Sequence, residues 1–212
     1  MSESTRSQLI AAGLKLYPQY GYGRLSVRVL AAEAGVSAGM FHHLFDNKDA
    51  FVAELLETHH RHTFGRLNLD NIGADNPFQC LREVLLRLAL CLRDNLAWVQ
   101  RAFADSGEGA AVIKAFWQRH FSVQHQRLTV LLNRCEAGDE AELAHRLAYL
   151  TGAIGAPMVI GMRMHEMGVL PSGFGEHIPE IISDAAIGQR IDWALAALFP
   201  QADSFLQAQE RT

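Results

Sequence analysis

Ser26-Val-Arg-Val-Leu-Ala-Ala-Glu-Ala-Gly-Val-Ser-Ala-Gly-Met-Phe-His-His-Leu-Phe45 is the stretch whose reading decides the fold. Ser26 is placed to cap a short helix over Val27–Ala34, with Val27, Leu30 and Ala31 on one face. Gly35 follows the last helical residue, where a left-handed conformation closes a helix without a Cβ clash. Val36 fills the turn, and Ser37 caps a second short helix running from Ala38 to Phe45. Ala31 is small where two such helices must cross closely, and Val36 with Phe41 can seal the angle between them. Two short capped helices and a tight turn within residues 26–45 have helix-turn-helix spacing. The second helix begins with small residues, so its N-terminal end can enter a major groove about 12 Å wide.

Outward from this motif the pattern remains helical, with apolar residues three and four apart and no sustained alternation of the strand kind. A first helix is expected from about Thr5 to Tyr20 on the stripe Leu9, Ala12, Leu16 and Tyr20, ending at Gly21-Tyr22-Gly23, with Pro18 distorting its last turn. Asp46 and Asn47 offer the cap for a long helix from Lys48 to about Leu69, with Phe51, Leu55, Thr58 and His62 inward. A polar loop follows from Asp70 to Pro77. Further helices are expected at about Pro77–Asn95, Ala97–Ala104, Gly109–Cys135 and Glu140–Met167. Gly168 to His177 reads as a connection, Pro179–Phe199 as the last helix, and residues 201–212 as a polar tail. The expected class is all-α.

Composition narrows the function. The 212 residues are 49% hydrophobic and 20% charged, with a formal net charge of −4, so any nucleic-acid surface must be local rather than global. Cys80, Cys91 and Cys135 show no CxxC spacing and read as buried free thiols. The N-terminus lacks the apolar core of a signal peptide, and Ala144–Met164, the most apolar run, is interrupted by His145, Arg146, Pro157 and Arg163. A cytoplasmic protein is expected. GxGxxG, GxxxxGK[ST] and HExxH do not occur, and Gly35-Val36-Ser37-Ala38-Gly39, which fits GxSxG, lies in the turn between two short helices rather than after a strand, so no catalytic class is indicated. His59, His60 and His62 invite a metal reading, but neighbours on a helix diverge by about 100°, and no thiol or carboxylate completes a set; no metal or cofactor is expected.

Residues 26–50 resemble the TetR family of transcriptional regulators: Ser-Val-Arg, Leu-Ala, Ala-Gly-Val-Ser, then Gly, Phe, His, Phe and Asn-Lys-Asp-Ala fall in the family's order. Residues 9–22 resemble its first helix, so the likeness covers about residues 5–57. The resemblance implies a three-helix DNA-binding domain over residues 1–49, followed by a six-helix ligand-binding and dimerisation domain over 50–200. It places Arg6, Ser26, Arg28, Ser37 and Lys48 near phosphates and Ala38, Gly39, Met40, His42 and His43 in the groove. It implies a homodimer on palindromic operator DNA, with Lys48 coupling the head to the rest. Two departures stand out: His42 replaces the usual tyrosine, and the recognition helix holds no arginine or lysine. Residues 1–50 carry Arg6, Lys15, Arg24, Arg28 and Lys48 against Glu3, Glu33, Asp46 and Asp49, a net charge of only +1.

For the remainder, adaptable apolar side chains suggest a pocket for a small, largely apolar effector: Trp98, Phe103, Phe116, Trp117, Phe121, Met158 and Met162, with His120 as a polar group. Gly152 and Ala156 allow close helix approach, and Ile187, Ile191, Ala194, Leu195 and Leu198 form a broad apolar face; by resemblance these residues make a dimer interface as a four-helix bundle. The leading expectation is a ligand-released repressor. The alternative is a TetR-like interaction or activator module with weak or lost DNA binding.

Overall fold

The computed structural model describes residues 2–70, 72, 76–171 and 173–202. Among these every regular element is helical: α1 Ser2–Arg24, α2 Val27–Ala34, α3 Ala38–Leu44, α4 Lys48–His62, α5 Pro77–Asp94, α6 Leu96–Gly107, α7 Ala111–Cys135, α8 Glu140–Ala156, α9 Met162–Glu166, α10 Ile178–Ile181 and α11 Asp184–Leu198. Short 3₁₀ turns follow α4 (Phe64–Arg66), precede α10 (Gly175–His177) and follow α11 (Pro200–Ala202). The all-α class and the N-terminal helix-turn-helix are as the sequence indicates.

The helix-turn-helix forms for the reasons its residues give. Ser26 Oγ accepts the Val29 N–H at 3.2 Å. Gly35 takes φ 66° and ψ 30°, and its N–H and that of Val36 close on Ala32 and Ala31 carbonyls. Ser37 occupies the cap position of α3 but makes no side-chain cap bond. Asn47 Oδ1 caps α4 by accepting the Ala50 N–H at 2.9 Å.

Several boundaries differ from expectation, each for a local reason. The first helix runs past Pro18 to Arg24, and the expected break is reduced to one non-helical residue, Gly21, at φ 63° and ψ 177°. α4 ends at His62 rather than Leu69, because Thr63 leaves the helix and its N–H and Oγ1 turn back to the His59 and His60 carbonyls. Its buried stripe is Phe51, Val52, Leu55 and Leu56, and His62 is exposed. The expected helix to Met167 is interrupted at Pro157, which has no N–H to continue the ladder; Pro157–Gly161 forms a π-turn before α9 resumes. The last helix divides at Ser183, whose Oγ accepts the Ala186 N–H at 3.2 Å and starts α11 afresh. The expected polar loop and tail lie partly outside the described residues, at 71 and 73–75 and from 203 onward.

The chain packs as two units, one formed by residues up to Arg66 with Ala97–Ser122, the other by Leu67–Leu96 with the residues from Val123. α6 and the first half of α7 thus pack with the N-terminal helices. In the first unit Leu9, Leu16, Tyr17, Leu30, Phe41, Phe45, Phe51, Leu55 and Ile113 share one core. Phe41, Phe45 and Phe51 stand with centroids 5.0–5.3 Å apart, so α3 and the start of α4 are fixed by a three-ring cluster. In the second unit α11 packs on α5 and α8, and Leu81, Val84, Leu132, Leu150, Met158, Ile187, Ile191, Leu195 and Phe199 form the core.

Candidate nucleic-acid interface and cavity

The surface of α3 follows from its seven-residue length. Phe41 is fully buried and anchors the helix, Met40 is half-buried, and Ala38, Gly39, His42 and His43 are exposed. The expected groove-facing residues therefore share the outer surface of one short, rigidly held helix. Ser26, Arg28 and Ser37 are exposed on the adjoining α2 and turn.

Two of the cations expected near phosphates, Arg6 and Lys48, have partners within the fold. The Arg6 guanidinium donates to both Glu54 carboxylate oxygens and to the Leu44 carbonyl (3.0 Å), and lies 4.5 Å over the Phe45 ring. It clamps α1 to α4 and satisfies a carbonyl at the end of α3. Glu54 holds its pKa above the ordinary arginine value. Lys48 donates its ammonium to the Tyr22 carbonyl and sits 4.3 Å over the Tyr22 ring. Burial lowers its pKa, against the Asp49 and Asp105 carboxylates, which raise it. Of the cations expected at the interface, Arg28 is the one left exposed with its charge uncompensated among the described residues.

A polar knot lies behind these contacts. Asp105 of α6 is 1% exposed, accepts the Tyr17 hydroxyl at 2.7 Å and the Tyr22 N–H at 2.8 Å, and pairs with Arg101 at 2.6 Å. The left-handed kink at Gly21 brings the Tyr22 N–H to this carboxylate. A Cβ at Gly21 would stand 2.5 Å from Arg101 Nε and 2.8 Å from Asp105 Oδ1, so a side chain there is excluded both by φ and by space. Tyr22 then hands its hydroxyl to Asp49 at 2.6 Å, at the start of α4. Nothing in the spacing of the sequence announces this knot, since Asp105 lies 88 and 83 residues from its α1 partners.

The first unit also holds a narrow cavity of about 30 Å³. α4 and the turn after it supply Leu56, His59, His60 and Phe64; α6 supplies Trp98, Val99 and Ala102; α7 supplies Phe116 and Trp117. Three of the expected pocket residues, Trp98, Phe116 and Trp117, are thus brought together. His120 stands beside them, its ring 3.8 Å from His60 and its Nε2 3.2 Å from Glu57. Burial first, and His120 second, push the His60 pKa below the ordinary histidine value. Phe103 and Phe121 do not line the cavity: they are 42% and 50% exposed and stack on Trp117 from outside it, with centroids 4.6 and 5.0 Å away. Met158 is in the core of the second unit and Met162 opens α9 there; neither is among the lining residues. Leu56, His59, His60, Phe64, Val99 and Ala102 are not among the pocket residues expected from the sequence; once α4 ends at His62, its last turn with His59 and His60 becomes cavity wall.

In the second unit the expected interface residues divide. Ile187, Ile191, Ala194 and Leu195 are at most 2% exposed and belong to the core within one chain, packed against α5 and α8, so they are not free to form an interface. Leu198 is partly buried against the same core. Gly152 is exposed and Ala156 half-buried, on a face with Tyr149 (46% exposed) and, beyond the π-turn's start, Ile160 (58%). α11 exposes Trp193 (63%). By length and a mean hydropathy of 1.3, Glu140–Glu166 is long and apolar enough to cross a membrane, though Leu143, Leu147, Leu150, Ile154 and Met158 of this run are in the core and Arg146 is buried in ion pairs with Glu136 (2.5 Å) and Glu142 (2.8 Å). Burial raises the Cys91 and Cys135 thiols to about 11. No group of three or more potential metal ligands occurs among the described residues.

The family model for bacterial regulatory proteins of the tetR family matches residues 9–55. An uncharacterized HTH-type transcriptional regulator of Bacillus subtilis (strain 168), YuxN, is 36% identical over 78 residues, which are 36% of this chain and 26% of that protein, so the match spans about a quarter of that relative. A protein from Pseudomonas aeruginosa PAO1 superposes with a TM-score of 0.67 at 21% identity, over 95% of this chain and 93% of its own. SCO4454, a TetR-family transcriptional regulator from Streptomyces coelicolor, does so with a TM-score of 0.65 at 17% identity, over 92% and 90%. At these identities the two structures speak for the fold.

Proposed function

This chain belongs to the TetR family of bacterial regulatory proteins through its N-terminal domain, and from that premise we propose that it is a dimeric transcriptional repressor whose operator binding is released by a small, largely apolar molecule. The observation that carries the reading is the exposed surface of α3. Ala38, Gly39, His42 and His43 stand free on a helix that Phe41 fixes to the core. In this reading α3 enters the major groove, His42 and His43 donate to bases or phosphates, and Arg28, Ser26 and Ser37 meet the backbone. Two copies must present α3 about 34–36 Å apart to reach successive grooves.

Release follows from helices shared between the head and the cavity. α4 carries Phe51 in the head's aromatic cluster and Leu56, His59 and His60 on the cavity wall. α6 carries Trp98, Val99 and Ala102 on the same wall and Asp105 in the knot that holds α1. A molecule that widens the cavity therefore bears on both helices that position the head. It shifts the population only by its differential affinity for the two states.

The dimer reading draws on apolar side chains left exposed in the second unit: Tyr149 on α8 with Gly152 and the half-buried Ala156, Ile160 in the turn after it, and Trp193 on α11. Footprinting on the DNA upstream of the chain's own gene at low salt tests the proposal; a palindromic protected site is expected, and no protection overturns it. A second reading, an interaction or activator module with weak DNA binding, draws on the engagement of Arg6 and Lys48 within the fold. The two separate on Arg28→Ala: a DNA binder weakens on every sequence and its log–log salt slope falls by about 1. A slope that does not change favours the second.

A further inference from the structure

Six of the nine residues lining the cavity carry rings: His59, His60, Phe64, Trp98, Phe116 and Trp117. No lysine, arginine, aspartate or glutamate lines it, so an ionic ligand would be desolvated there without a counter-charge. The Glu57 carboxylate, outside the lining, is already held by Arg119 at 2.8 Å and by His120. Aliphatic lining is limited to Leu56, Val99 and Ala102, too little to sheathe a long chain.

The two tryptophans differ in one respect. Trp98 donates its indole N–H to the Leu14 carbonyl at 3.3 Å, and it stacks with Tyr17 and His59 at 4.4 and 4.1 Å. Trp117 has its indole nitrogen buried with no hydrogen-bond partner among the described residues. A buried donor without an acceptor is costly and calls for an explanation. An acceptor supplied by a bound molecule removes that cost.

We infer that this cavity takes an uncharged, flat aromatic molecule of one or two fused rings that carries a hydrogen-bond acceptor for the Trp117 indole N–H. The inference rests on the ligand-release reading above and names the ligand class for it. The cavity of about 30 Å³ holds about two waters, so binding widens it. The outer rings Phe103 and Phe121, half-exposed and stacked on Trp117, give that wall room to shift outward. A cation is disfavoured because rings already stack on both tryptophans, leaving less open aromatic face for a cage.

Calorimetric titration of the full chain at pH 8 with four probes of one shape tests this: quinoline (neutral, with an acceptor), naphthalene (neutral, without), 1-naphthoate (anionic) and N-methylquinolinium (cationic). Quinoline is expected to bind about tenfold more tightly than naphthalene, as one well-formed hydrogen bond gives, and more tightly than either ion. Trp117→Phe should bring quinoline and naphthalene level, whereas Trp98→Phe, whose N–H is already satisfied, should leave their ratio as in the parent chain. Nuclear magnetic resonance of the unsubstituted protein gives an independent readout: the Trp117 indole proton moves downfield with quinoline and not with naphthalene. Equal affinities for the two, a ratio unmoved by Trp117→Phe, tighter binding of an ion, or an unmoved indole proton each overturn the inference. Footprinting without any probe reports separately on the regulator reading. A chain that protects DNA but prefers naphthoate fails here alone, and one that binds quinoline through Trp117 without protecting DNA fails there alone.

Discussion

Asp105 shows what a single buried carboxylate does in this fold. It is 1% exposed and serves three donors, the Tyr17 hydroxyl, the Tyr22 N–H and Arg101. Removing it leaves a phenol and a backbone amide without their acceptor and Arg101 with Glu108 alone at 3.3 Å, a loss of about 3 kcal/mol by the usual cost of breaking a buried pair. Asp105→Ala is therefore expected to lower the urea midpoint strongly, and Asp105→Asn, which keeps one acceptor oxygen, to lower it less; equal midpoints for the parent and Asp105→Ala would contradict the knot's role. His60 gives a prediction of opposite origin. Its pKa is lowered in the folded chain by burial and by the His120 ring 3.8 Å away, with Glu57 working against both. Above the ordinary histidine value of about 6.5 both states are neutral and nothing is lost. Below it the unfolded chain takes a proton that the folded chain resists, so stability falls as pH drops through that window. Comparing midpoints of the parent and His60→Gln between pH 7.5 and 5 should show a shallower acid loss in the variant, and parallel curves would exclude His60 as a contributor.

At the scale of elements, the two caps flanking α3 have different fates. Asn47 caps α4 through its side chain at 2.9 Å, while Ser37 makes no such bond. Asn47→Ala should cost about 1 kcal/mol in equilibrium unfolding. Ser37→Ala should stay within about 0.5 kcal/mol of the parent yet weaken DNA binding if its free hydroxyl meets phosphate. A large stability loss for Ser37→Ala would show a cap that forms in solution. Both caps look alike in sequence, and this marks how far the chain could be read. The α2–α3 turn was legible because Ser26, Gly35, Val36 and Phe41 act within a few residues of one another. The end of α4 was not, because Thr63 is a poor stop signal until its hydroxyl is seen turning back to His59. Pro157 was visible, but whether a proline bends, kinks or merely widens a helix depends on what packs around it. In the site, Trp98, Phe116 and Trp117 were legible as aromatics at helical spacing. The partners of Lys48 and Arg6 within the fold were not legible, since a cation's partner is a matter of tertiary neighbours: Glu54 is 48 residues from Arg6.

At the scale of the whole molecule, the apolar face of α11 illustrates the same limit with a larger consequence. Periodicity identifies a stripe but not the neighbour it packs on, and Ile187, Ile191 and Leu195 turn out to be consumed by α5 and α8 of the same chain. Trp193, one residue past Asp192, faces the other way, because Asp192 is tied to Arg82 at 2.5 and 2.9 Å and fixes the helix's rotation. It leaves an indole 63% exposed in the same unit as the uncovered Tyr149 and Ile160. A large exposed apolar patch is what an association surface requires, and tryptophan is the residue whose loss costs most at the centre of one, about 2 kcal/mol or more. Trp193→Glu should thus raise the dimer dissociation constant by about 30-fold or more in sedimentation equilibrium, with helical content by circular dichroism unchanged, since the side chain is mostly exposed. Operator affinity should fall with it, because a lone α3 reaches one half-site only. A Trp193→Glu chain that sediments as the parent does would place the dimer contact elsewhere. A chain already monomeric without the substitution would remove the paired geometry on which operator recognition by two copies of α3 depends.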